Sequence, residues 1–173
     1  HVRMQKRLRA LGFREATEKG GPAHRWLAPD NTLFDLVPAG DHFGASGQQW
    51  DTVAIETAET TKLASGTRIR HASAPTFLAL KWAAFRDRGR HDPFASHDLE
   101  DILALVVSRP ALAGELRLAP HAVRKFVGSE CRKLLAHADV EDLLPAHLNN
   151  AFDPAVAIAL ARDRLTELAA PRR

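Results

Sequence analysis

Two charged residues occupy positions where a helix would ordinarily carry core residues. Along Pro75-Thr76-Phe77-Leu78-Ala79-Leu80-Lys81-Trp82-Ala83-Ala84-Phe85, a helical advance of about 100° per residue sets Lys81 between Phe77 and Phe85, in the middle of the apolar face. In the next apolar pattern, Asp98-Leu99-Glu100-Asp101-Ile102-Leu103-Ala104-Leu105-Val106-Val107, Asp98 shares a face with Ile102 and Leu105, and Asp101 lies at its edge. Desolvating a lone ammonium or carboxylate is costly, so such groups are paired or used. Three readings follow. Lys81 can pair with Asp98 or Asp101 and hold two helices in register, or its stem can snorkel to water past Phe85. Alternatively, it is a fixed positive charge in a cleft, oriented by Asp98 and facing an anionic ligand.

A further carboxylate sits in Thr32-Leu33-Phe34-Asp35-Leu36-Val37, where the strand period of two puts Asp35 on the face of Leu33 and Val37. It is either exposed at a sheet edge or projects into a site as a metal ligand or base. Three arginines, Arg86, Arg88 and Arg90, surround Gly89 in the turn after the Lys81 helix. The planar fork of guanidinium suits phosphate oxygens, although solvated loop charge has the same appearance. Arg68, Arg70 and His71 could line a phosphate-binding surface or stand as exposed strand cations. Gly44-Ala45-Ser46-Gly47 superficially resembles a phosphate-cradling loop, but no Lys-Ser/Thr follows it. None of the nine scattered histidines makes a zinc spacing with the single Cys131, whose place in a helical pattern reads as a buried small hydrophobe.

The elements that must position these groups are readable in outline. A short amphipathic helix runs to about residue 11 and ends at Gly12. Val2, Gln5, Leu8 and Leu11 suggest a helix entered partway through, which reads as the middle of a domain. Strand-like pieces then follow at 14–19, 23–28 and 32–37, separated by Gly20-Gly21-Pro22 and Pro29-Asp30-Asn31, as in an antiparallel meander. A loop over 38–49 is anchored at its far end by Trp50 and Val53 to Ile55. Residues 59–63 and 67–72 form a hairpin around Ala64-Ser65-Gly66. Ser96 is placed as the N-cap of the Asp98 helix, whose first-turn carboxylate also suits the helix dipole. Beyond Pro110 the chain is helical: 120–137, a short element at 141–148, and a last helix opened by Asp153-Pro154. The fold class is α+β, with a β-rich part over 1–73 and a helical part over 74–173.

The chain has 173 residues, 45% hydrophobic and 26% charged, which is globular composition rather than that of a disordered chain. Its formal net charge is +3 and its pI about 9.4, a mild lean toward polyanions such as nucleotides or RNA. No apolar run approaches a bilayer span and no signal-peptide pattern is present, so a cytoplasmic protein without a membrane partner is expected.

The stretch Phe77-Leu78-Ala79-Leu80-Lys81-Trp82-Ala83-Ala84-Phe85, the arginines of 86–90 and Ser96-His97-Asp98-Leu99-Glu100-Asp101-Ile102 resemble a known group. It comprises the predicted nucleotidyltransferases related to the AbiEii-type abortive-infection toxins. The similarity extends through Leu143-Leu144-Pro145-Ala146-His147-Leu148 and the final helix. The resemblance implies part of a nucleotidyltransferase fold, a small mixed sheet flanked by helices with a helical C-terminal part. It implies Mg²⁺ or Mn²⁺ and a nucleoside triphosphate as cofactors, tRNA or a protein as acceptor, and a cognate antitoxin. Asp35 would be metal ligand or base, Lys81 would meet the phosphates, and Asp98 would hold Lys81. Arg70, Arg86, Arg88 and Arg90 would bind the nucleotide. In such enzymes two further carboxylates come from an early Gly-Ser and Asp-x-Asp motif. Here Gly128-Ser129 leads to no such pair and Asp-x-Asp does not occur, so the motif is expected before His1. The alternative expectation is a non-catalytic RNA- or partner-binding module.

Overall fold

The computed structural model describes residues 2–16, 24–37 and 48–170. The chain is α+β and divides into two compact units, 1–43 and 44–173. Sequence composition suggested a break at 73, whereas packing assigns the segment from 44 to 73 to the helical unit. The outer ends of the first two strand-like pieces and the glycine-containing loop at 44–47 lie outside the described residues.

In the N-terminal unit, α1 (Val2–Ala10) is followed by Gly12, whose φ of +85° is a left-handed conformation that glycine takes without Cβ strain. A three-stranded antiparallel sheet then forms from β1 (Arg14–Glu15), β2 (Arg25–Leu27) and β3 (Leu33–Asp35), in that order. The register pairs Trp26 with Glu15 on one side and with Phe34 on the other. Trp26 is buried, and Arg9 stacks over its ring at 5.7 Å. Phe13 meets Phe34 edge-on at 5.6 Å. The turn between β2 and β3 is secured locally: Asp30 accepts from the Thr32 N–H at 2.9 Å and Asn31 takes a positive φ.

The second unit begins with α2 (Gln48–Glu56), a helix where only an anchored loop end was expected. Its reason is tertiary: Trp50 is buried and stacks on Phe126 at 4.8 Å. The hairpin β4 (Glu59–Lys62) and β5 (Arg68–His71) matches the sequence expectation, with every residue exposed. All described strand pairings are antiparallel.

The core is helical. Helix α3 (Ala74–Ala84) starts with Pro75 in its first turn and buries Leu78, Ala79, Trp82 and Ala83. Against it pack α4 (His97–Ser108), α5 (Leu112–Leu118) and α6 (His121–Leu135), while α7 (Val140–Leu148) and α8 (Pro154–Ala169) pack on each other and on α4, and α8 also on α6. Leu99, Ile102, Leu103, Val127, Leu143, Leu144 and Leu165 are wholly buried in this core. The caps read from the sequence are in place: Ser96 accepts from the Leu99 N–H at 3.3 Å and Asp153 from the Val156 N–H at 3.1 Å.

The arginine-bearing segment expected as a turn is instead a π-helical turn, Phe85–Gly89, continuing α3. It ends at a buried glycine with no room for a side chain. A Cβ on Gly89 would stand 2.5 Å from both Phe85 Cδ2 and Ser96 Oγ. Gly89→Ala therefore opposes two effects. Helix propensity favours alanine by about 1 kcal/mol, while overpacking costs about 1–3 kcal/mol. The clash includes the cap of α4, so urea denaturation is expected to show a net loss of up to about 2 kcal/mol. A raised midpoint would refute this account of the turn.

Candidate functional site

The two charges that looked misplaced in the sequence meet. Lys81, on α3, donates through Nζ to Asp98 Oδ1 at 3.2 Å and lies 2.5 Å from Asp101 Oδ2, both on α4. It also sits 5.7 Å from the Phe77 ring centre, the neighbour that helical spacing assigned to it. Asp98 is bound more tightly by a second cation. Arg88 donates through Nε to Oδ2 at 2.8 Å and through Nη2 to Oδ1 at 2.9 Å, the forked geometry that makes arginine–carboxylate pairs strong. The Asp98 side chain is only 6% exposed, against 24% for Lys81 and 73% for Arg88. The carboxylate is thus the desolvated member, and the cations cover it from the solvent side.

Burial acts to raise the Asp98 carboxyl, but the hydrogen bonds from Arg88 and then Lys81 outweigh it and hold the group below its ordinary range. For Lys81 burial acts to lower the ammonium, and Asp101 with Asp98 reverses it, so the charged form persists above the ordinary lysine range. Both partners shift in the direction of a stable ion pair.

Asp35 stands in the N-terminal unit. It is exposed at the end of β3, opposite Arg25 in the β2–β3 register, and accepts from Arg25 Nε at 3.0 Å. His24 Nε2 lies 3.8 Å from its other oxygen. The Arg25 hydrogen bond holds this carboxyl below its ordinary range. The environment is that of an edge-strand ion pair. Among the described residues no three His, Cys, Asp or Glu side chains come together as a metal site, so these residues by themselves do not fit a divalent cation.

No family model, curated protein or solved structure matches this chain. Its site must be read from its own geometry.

The four arginines expected at a nucleotide are each engaged by a different part of the unit. Arg70 donates to the Ile55 carbonyl at 2.8 Å, tying β5 to α2. Arg86 lies over the Phe126 ring at 5.7 Å, Arg88 forks onto Asp98, and Arg90 faces Glu130 at 3.6 Å. Only Arg88 joins Lys81 and Asp98.

Sequence reading missed Glu130, which is as desolvated as Asp98, with a side chain 4% exposed. The signal was present. Val123, Phe126, Val127, Glu130, Cys131 and Leu134 form one apolar stripe at helical spacing, and Glu130 interrupts it as Asp98 interrupts its own. Cys131, beside it, is buried as expected, and burial pushes its thiol up to about 12. It is therefore an inert thiol.

The pH consequence follows from the sign of the Asp98 shift. A carboxyl with a lowered folded pKa contributes stability above its ordinary value of 3.8, and loses it as pH falls through the lower folded value. Asp98→Ala is expected to cost about 1–3 kcal/mol at neutral pH, less than for a fully buried pair because Arg88 can turn to water. The penalty should shrink on acidification below pH 3.8, because the parent loses the same interaction there. Urea titrations of both proteins across pH 2 to 7 check this; a penalty independent of pH would contradict the ion-pair account.

Proposed function

We propose that this chain is part of a nucleotidyltransferase-like protein in which Lys81 and Arg88 meet the phosphates of a nucleoside triphosphate, with RNA or a protein as acceptor. The observation that supports this reading is the spare donor capacity of two cations held by one carboxylate. Lysine has three N–H donors and Lys81 directs two of them at Asp98 and Asp101; arginine has five and Arg88 spends two on Asp98. Among the described residues one ammonium hydrogen and three guanidinium hydrogens remain, on side chains that reach solvent. Phosphoryl transfer depends largely on positioning and on neutralising charge at the phosphate oxygens, and a pre-set ammonium beside a guanidinium does both. Asp98 would act as the positioning residue for the pair. Asp35 lies in the other unit, paired with Arg25, and this reading rests on none of its atoms. An antitoxin partner would follow from the AbiEii-like resemblance alone.

A second reading, a non-catalytic RNA-binding module, has its own support. The β4–β5 hairpin exposes every residue and carries Lys62, Arg68, Arg70 and His71.

Equilibrium binding of labelled nucleoside triphosphates, with and without Mg²⁺, separates the two. The transferase reading expects Lys81→Ala to weaken triphosphate binding about tenfold or more, the loss of one charged hydrogen bond, with the circular dichroism spectrum retained. No transfer of label to RNA or protein is expected from this chain by itself, since it contains no Asp-x-Asp. Triphosphate binding that is absent, or unaffected by Lys81→Ala, would defeat the transferase reading. Salt-sensitive tRNA binding that survives Lys81→Ala but falls with Arg68→Ala would establish the module instead.

A further inference from the structure

Between α3, the π-turn, α6 and α7 lies a cavity of about 220 Å³. Its apolar lining comes from Trp82, Phe85, Pro93, Leu134 and Leu143, and its polar lining from Arg90, Glu130, Lys133 and His137. A cavity on the order of 150 Å³ accommodates a benzene ring, so this one has room for a single ring and a short polar head. The wall at Pro93 is fixed, because His147 on α7 hydrogen-bonds the Pro93 carbonyl at 2.8 Å.

The polar side is unevenly satisfied. Glu130 Oε1 accepts from Lys133 Nζ at 2.6 Å, while Oε2 is approached by Arg90 Nη2 at 3.6 Å, beyond hydrogen-bond length. One buried carboxylate therefore faces two cations, each about half exposed. His137 adds a third donor. Its Nδ1 accepts from the Asp139 N–H at 3.2 Å, which leaves the ring proton on Nε2. Among the described residues Lys133 keeps two donors and Arg90 all five. Among the lining residues Arg90 and Lys133 stand against the one carboxylate of Glu130, while the Asp139 carboxylate lies behind His137, 3.9 Å from its Nδ1.

We propose that this cavity binds a small amphipathic anion, a ring or compact apolar group bearing one carboxylate. The apolar part lies against Trp82, Phe85, Leu134 and Leu143, and the carboxylate is taken by Arg90, Lys133 and His137. Glu130 is the positioning residue: its buried charge draws Arg90 and Lys133 to the cavity without exhausting their donors. A phosphate head offers the same anionic chemistry, but a free phosphate lacks the apolar part that the lining calls for. The site uses none of Asp35, Lys81 or Asp98, so failure of the transferase reading leaves it standing, and the reverse.

Methyl-resolved NMR titration of the whole chain tests this with phenylacetate, benzylamine and inorganic phosphate as probes. Phenylacetate is expected to shift the Leu134 and Leu143 methyl signals. Arg90→Met should weaken that binding about tenfold or more, as removal of a charged hydrogen bond does. Lys133→Met, on the exposed side of α6, should weaken it as well and guards against a folding defect in the first variant. Lys81→Ala should leave it unchanged. The proposal is overturned if phenylacetate leaves the two leucines unmoved, or if both cation-to-methionine variants fold and bind it as the parent does. It is equally overturned if benzylamine matches phenylacetate at these methyls, which would make Glu130 the receptor. Displacement of phenylacetate by phosphate at equal concentration would likewise sink it, since the ring would then contribute nothing.

Discussion

The helical unit depends on how it covers two desolvated carboxylates. Asp98 near the start of α4 and Glu130 within α6 are each embedded in an apolar stripe, and each is met there by two cations. One short segment faces both. The π-turn after α3 sends Arg88 to Asp98 and Arg90 toward Glu130. Gly89 between them is pressed so closely against Phe85 and Ser96 that no side chain fits. A π-helical turn admits one more residue than an α-turn would, and here that addition lies where the two arginines diverge. Arg88 and Arg90 thereby tie the end of α3 to both α4 and α6.

This arrangement limits what the cations can do for a ligand. An arginine forked onto a carboxylate has spent its best geometry, and an exposed ion pair offers little field to an incoming anion. What remains is unequal among the basic residues. Arg70 is committed to a backbone carbonyl and Arg86 lies over an aromatic ring, whereas Arg88, Lys81, Arg90 and Lys133 keep hydrogens unspent. The unspent donors of this unit are therefore grouped locally, on pairs of cations that share one acid. The modest net charge of +3 carries no such information.

Much of this was legible in the chain, and the rest was hidden for physical reasons. The Lys81–Asp98–Asp101 cluster was one of three readings that periodicity left open, beside a snorkelling lysine and a charge facing a ligand, and the geometry shows the pairing. The caps at Ser96 and Asp153 and the β4–β5 hairpin were equally local. Helix α2 was not legible: nine residues with no cap recognised in advance, stabilised by Trp50 stacking on a ring more than seventy positions away. The π-turn was hidden because the insertion of one residue leaves the residue types unchanged and alters only their phase. Arg86, Arg88 and Arg90 read as one phosphate-facing group; the real phase sends them to Phe126, Asp98 and Glu130. Asp35 carried two readings, and the register opposite Arg25 gives it an edge-strand partner. Glu130 was available by the same reasoning as Asp98 but is followed closely by Arg132 and Lys133, which make its surroundings look like a solvated face.

One asymmetry in the Asp98 cluster bears on whether it is scaffold or site. A buried ion pair can often be exchanged for apolar residues at little cost, so stability by itself gives weak grounds for building one. Asp98 is neutralised twice, by the Arg88 fork and by Lys81, and the fork would suffice for a single carboxylate. Lys81 in turn has Asp101, whose side chain is about half exposed and could be satisfied by water. The cluster therefore contains one more cation than Asp98 needs. It holds that cation at the margin of the core, with Phe77 under its stem and one hydrogen unspent. Arg88 answers Asp98 and Lys81 answers Asp101 as well, so each cation has an acid of its own on α4. Counted with Asp101 the cluster holds two cations against two carboxylates, a balance that joins the helices and leaves donors unspent on its solvent side.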